Sequence, residues 1–97
     1  MTESFRVYVS VASIWEIGIK CALGKLETPE NLEEELRNSS FSTLPIQVSH
    51  AIAAGKLPRH HDDPFDRMLV AQASLESLTL LTADVRLRDY NVPILLA

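Results

Sequence analysis

Three carboxylates recur beside boundaries where an extended segment gives way to a helical one. Glu16 follows Phe5-Arg6-Val7-Tyr8-Val9-Ser10, an alternating β-branched and aromatic run that predicts a strand. Asp66 falls in the first turn of a helix opened by Asp63-Pro64, and Asp84 comes just after the apolar strand pattern Thr79 to Thr82. In open α/β sheets, ligands bind beyond the carboxyl ends of the strands. Carboxylates converging there repel one another, and a hard divalent cation is their natural compensator. Mg²⁺ or Mn²⁺ suits oxygen ligands, polarises a phosphodiester and lowers the pKa of an attacking water.

Each acid also has a purely structural account. Ser13-Ile14-Trp15-Glu16 fits a capping box, in which Glu16 only bonds back to the N-cap amide. Asp63 is a natural N-cap, Asp66 is favourable in a first helical turn through the dipole, and Asp84 suits a turn. Residue types and spacing leave both accounts standing.

The elements that must position these residues alternate. After the first strand, Ile14, Trp15, Gly18, Ile19, Ala22 and Leu23 form a helical stripe that places Trp15 in the core, with Gly24 as its C′ residue. Thr28-Pro29-Glu30 predicts an N-cap with proline at the first helical position, opening a short acidic helix through Leu32 and Leu36. Phe41 to Ile46 reads as a short strand that Pro45 restricts to an edge or an end. Ser49 is the expected cap of an alanine-rich helix that stops near Gly55 and Pro58. Phe65, Met68, Leu69, Ala73 and Leu75 trace the helix that carries Asp66, and Val92 to Leu96 closes the chain as a last strand. The pattern predicts one α/β domain over residues 1–97, a mostly parallel sheet flanked by helices.

Composition narrows the function classes. The net charge of −4 argues against a protein that coats nucleic acid by bulk electrostatics, though not against an enzyme that handles RNA locally beside a cation. No apolar run approaches the roughly 18–20 residues that cross a bilayer, and the first residues lack the features of a secretion signal. The expected setting is the cytoplasm, with the single Cys21 as a buried thiol. Only three glycines occur and none forms a phosphate loop after a strand, which weighs against a nucleotide-binding domain of another kind. The adjacent His60 and His61 have no partner pair at helical spacing, so they predict an exposed, pH-sensitive loop rather than a zinc site.

The wording of the sequence adds to this. Val7-Tyr8-Val9-Ser10, running into Ala12-Ser13-Ile14-Trp15-Glu16-Ile17-Gly18-Ile19-Lys20 and then Leu23-Gly24-Lys25-Leu26, resembles the second strand and following helix of PIN-domain proteins, closest to VapC-type toxins. Leu57 to Ala73, with Asp62-Asp63-Pro64-Phe65-Asp66-Arg67 at its centre, resembles that family's third acidic motif, and Leu78 to Asp84 its fourth. The resemblance implies a Mg²⁺- or Mn²⁺-dependent endoribonuclease, often the toxin of a toxin–antitoxin pair. It implies Glu16, Asp66 and Asp84 as catalytic metal ligands, and Asp63 as an N-cap that is also linked to the metal. RNA is the implied substrate and a cognate antitoxin the implied partner. Arg67 and Lys20 are candidates for phosphate contact or for helix-end and solvated roles, and Thr82 for orienting a carboxylate or a water.

The family begins with a strand ending in an aspartate, and the comparison finds no counterpart of it here. The expectation is an N-terminally truncated PIN-like sheet short of one metal ligand. Neighbouring strands closing up, strand exchange in a homodimer, or a separate polypeptide would compensate. A catalytically incomplete remnant that oligomerises or binds an antitoxin is the alternative reading.

Overall fold

Alternating strands and helices imply parallel pairing, because only a crossover segment returns the chain in the same direction. The computed structural model describes residues 7–28, 30–60, 62–82 and 84–96, and divides the chain into two compact units, Met1–Pro45 and Ile46–Ala97. Phe5, Arg6, Pro29, His61 and Ala83, which enter the readings above, lie outside the described residues.

In the first unit, β1 (Tyr8–Ser10) pairs in parallel with β2 (Ser42–Leu44), with Tyr8 opposite Ser42 and Ser10 opposite Leu44. Helices α1 (Val11–Ala22) and α2 (Leu32–Asn38) form the crossover. No loop separates β1 from α1. Buried Ser10 ends the strand and caps the helix, its Oγ accepting from the Ala12 amide at 3.0 Å. The helix therefore starts ahead of Ser13, and the expected Ser13–Glu16 capping box does not form. Gly24 ends α1 as its spacing predicts. It has φ 73°, its amide donates to the Cys21 carbonyl at 3.0 Å, and the Lys25 amide donates to that of Lys20 at 2.9 Å. Cys21 is only half-buried, with its Sγ 3.5 Å from Thr28 Oγ1.

The apolar stripe of α1 is not the core element its pattern suggests. Ala12 is its buried residue, whereas Trp15 is 63% exposed. Two three-residue strands present too little apolar area to cover a helix of 12 residues. Helix α2 opens at Leu32, later than Thr28-Pro29 implies, and Asn31 before it makes no side-chain cap bond. Glu33, Glu34 and Glu35 fill its first turn instead, where the helix dipole favours negative charge.

In the second unit, α3 (Val48–Lys56) and α4 (Pro64–Leu75) precede β3 (Leu80–Thr82) and β4 (Ile94–Leu96). The two strands again pair in parallel, with Leu80 opposite Ile94 and Thr82 opposite Leu96. A 3-10 turn, Val85–Asp89, lies between them. Val70, Ala73, Leu80, Leu87 and Tyr90 form the buried core, with Leu57, Leu69, Leu78, Val92 and Ile94 packed around it. Gln47, rather than Ser49, caps α3. Its side chain accepts from the His50 amide while His50 Nδ1 accepts from the Gln47 amide at 3.0 Å, a reciprocal cap that Ser49, already the second residue of the helix, is too far along to make.

Ser77 turns the chain from α4 into β3 in a left-handed conformation, φ 56°, and the Leu78 amide then reaches the Ala73 carbonyl at 2.8 Å. This is the place glycine occupies after α1. Relief of the Cβ strain exceeds the extra chain entropy glycine carries, so Ser77→Gly is expected to stabilise the protein by about 0.5 kcal/mol. An increase in the urea midpoint measures this. A lower midpoint would show that Ser77 is not strained.

Candidate functional site

Of the acids singled out, Asp63, Asp66 and Asp84 belong to the second unit, and Glu16 to the first. Asp63 holds the extended conformation of an N-cap, with Pro64 as the first helical residue. Its Oδ1 accepts from the amides of Phe65 at 2.8 Å and Asp66 at 3.3 Å. Asp66 is thus in the first turn of α4, half-buried, its backbone tied to Asp63. The N-cap account of Asp63 is correct.

Asp84 is set by its neighbours on both sides. Thr82 ends β3, and its Oγ1 accepts from the Asp84 amide at 3.0 Å, so Thr82 orients the residue through its backbone. Asp84 caps the 3-10 turn in its turn, Oδ1 accepting from the Arg86 amide at 3.0 Å. The Arg86 guanidinium then folds back over the carboxylate. Nε lies 3.0 Å from Oδ1 and 3.2 Å from Oδ2, and Nη2 lies 2.7 Å from Oδ2.

The pKa of Arg86 is raised above the ordinary arginine value. Its hydrogen bonds to Asp84 are the largest cause and the charge of Asp84 the next, with smaller contributions from the charges of Asp66 and Asp63. Asp84 is thus the direct partner of Arg86, and the charges of Asp66 and Asp63 act on it only weakly. Sequence reasoning missed Arg86. Its signal was the Asp-x-Arg spacing just past a strand, which a 3-10 turn brings onto one side.

Glu16 lies one helical turn before Lys20, with its carboxylate 3.8 Å from Nζ, and it is half-buried. Lys20 therefore has a side-chain role within its own helix. Arg67 has one at another helix's end. Its guanidinium donates to the Ala54 and Leu57 carbonyls, both at 3.0 Å, and to that of Pro58 at 3.1 Å, which satisfies the C-terminus of α3. His60 is exposed, as expected, and sets its ring edge against Tyr90 with centroids 5.2 Å apart.

Among the described residues, no group of three or more His, Cys, Asp or Glu side chains stands close enough to hold a metal ion. The candidate donors of the second unit, Asp63, Asp66 and Asp84, nevertheless fit a hard divalent cation in kind, being carboxylates. Mg²⁺ in particular keeps most of its waters and is commonly held by only one or two carboxylates.

A family model for the PIN domain matches residues 1–93. The chain belongs to the PIN domain family. No curated protein matches it. PIN domains are in general nucleases that bind RNA and use divalent metal ions. The parallel strands and four helices of this PIN domain agree with that membership. Among the described residues, no helix is long and apolar enough to cross a membrane.

Proposed function

We propose that this PIN domain is an endoribonuclease of the VapC toxin type, dependent on Mg²⁺ or Mn²⁺ and acting in the cytoplasm. The observation that supports the reading is a nucleolytic family match in which Asp66 stands in the first turn of α4 and Asp84 just past β3. Asp66 and Asp84 are the proposed metal-holding residues, with Asp63 beside them. Glu16 carries the same proposal through its motif alone. A divalent ion bound there would neutralise charge on the phosphodiester and lower the pKa of an attacking water.

The chain's own residues have the following parts. Thr82 and the 3-10 turn fix the backbone of Asp84, so its carboxylate is aimed before any ligand arrives. Asp63 fixes the first turn of α4 and with it Asp66. Pre-set acceptors lose little entropy on binding, which is how a small domain can hold a hydrated ion with few ligands. A cognate antitoxin that covers the acidic residues, and a homo-oligomer, are the proposed partners.

The test is cleavage of single-stranded RNA by the purified chain across a Mn²⁺ titration. Cleavage that rises with Mn²⁺ and stops on chelation is the expected result. A chain that binds no Mn²⁺ at millimolar concentration would instead be a PIN remnant serving as an oligomerisation or antitoxin-binding module. That no three His, Cys, Asp or Glu side chains stand close enough to hold a metal among the described residues is the observation that favours this second reading.

A further inference from the structure

Both oxygens of Asp84 are engaged by the Arg86 fork, at 3.0 and 3.2 Å from Nε and 2.7 Å from Nη2, and Oδ1 also accepts the Arg86 amide. A carboxylate covered in this way has its in-plane lone pairs directed at nitrogen donors. A hydrated divalent ion needs at least one of those lone pairs, and it is repelled by a guanidinium at the same place. We propose that Arg86 is a resident counter-cation of the acidic site, which a divalent ion must displace from Asp84 before that carboxylate can ligate it. This inference rests on the metal-dependent reading above and adds to it a residue that sets how much metal the site requires.

The arrangement is suited to exchange rather than to permanent closure. The Arg86 side chain is 67% exposed and that of Asp84 25%, so the pair lies in water-accessible surroundings where such contacts are weak and screened by salt. The pair spans only two residues of a 3-10 turn, so the guanidinium can swing away without moving the backbone hydrogen bonds that hold Asp84. In the metal-free protein the same cation balances the charge of Asp84, until an external cation competes for that carboxylate.

The test is Mn²⁺ binding to the full chain without RNA, followed by the electron paramagnetic resonance of the free ion at low ionic strength. Arg86→Gln is expected to bind Mn²⁺ about three- to tenfold more tightly than the parent chain. Arg86→Lys is expected to fall between them, because an ammonium keeps the charge and lacks the two-pronged fork. The difference should shrink as KCl is raised, a response that a purely structural role for Arg86 would not produce. If the parent chain binds Mn²⁺ and Arg86→Gln binds it equally or less tightly, Arg86 does not compete, and the metal reading survives without it. If no form binds Mn²⁺, the metal reading falls and this inference with it. Should Arg86→Gln fail to fold, Arg86→Lys decides alone: tighter binding supports displacement, and unchanged binding overturns it.

Discussion

Asp66→Asn is expected to lower Mn²⁺-dependent RNA cleavage at least about 100-fold, since even a residue supporting a metal ligand is commonly worth 10- to 100-fold. Asparagine matches aspartate in size, and the bond from the residue-66 amide to Asp63 Oδ1 does not involve the altered group. The lost charge near the start of α4 costs only about 0.3 to 1 kcal/mol through the helix dipole. Cleavage and stability are therefore separable in this variant. Its thermal midpoint should stay close to that of the parent while its rate collapses. Asp63→Asn provides the contrast, because asparagine caps a helix as well as aspartate and only the charge is lost. A smaller rate loss is expected there. If Asp66→Asn kept more than a third of the parent rate, the proposed role of Asp66 would be wrong.

The largest effect on stability is expected at His50, a residue that the sequence marks only as one position in an alanine-rich helix. Its side chain is fully buried. Nδ1 accepts from the Gln47 amide at 3.0 Å and lies 3.4 Å from Gln72 Nε2. A backbone N–H can only donate, so Nδ1 is the unprotonated nitrogen. The Nε2–H then donates to Glu76 Oε1 at 2.8 Å. One ring thus caps α3 and ties it to two residues at the end of α4. His50→Ala removes these bonds, takes the acceptor from the Gln47 amide and opens a cavity between the helices. A cost of about 3 kcal/mol is expected from an orphaned polar group together with a large-to-small change in a core.

Glu76 has 39% of its side chain exposed, so water can partly replace its carboxylate at the His50 Nε2–H, and Glu76→Ala alone should cost less, about 1 kcal/mol. Denaturant unfolding of both single variants and the double variant measures the coupling. A value near zero would mean that His50 acts through packing rather than through this bond. A loss below about 1 kcal/mol for His50→Ala would contradict the clamp itself.

Much of this molecule is legible in local chemistry. Asp63-Pro64 states where α4 begins, because the cap and the fixed proline φ both act within three residues. Gly24 states where α1 ends, because only a residue free of Cβ strain turns there at no cost. The alternation of apolar runs likewise predicts parallel pairing, and the ordered acidic motifs predict the PIN family that the family match shows. These are short-range signals, and they survive folding unchanged. Tertiary structure decided what depended on competition among neighbours. Trp15 lies in an apolar stripe yet stays exposed, since burial depends on the area that other elements offer. Ser49 loses the cap of α3 to Gln47 because His50 completes a reciprocal pair. Arg67 is spent on the carbonyls of α3, a contact no spacing rule connects. The acids with which the sequence reading began are altered in the same way. Asp63 and Asp66 open α4 and Asp84 follows β3 as the local pattern implies. That Arg86 folds back over Asp84 was decided by the 3-10 turn after β3, because the i, i+2 spacing alone does not fix the turn that brings the two side chains to one side.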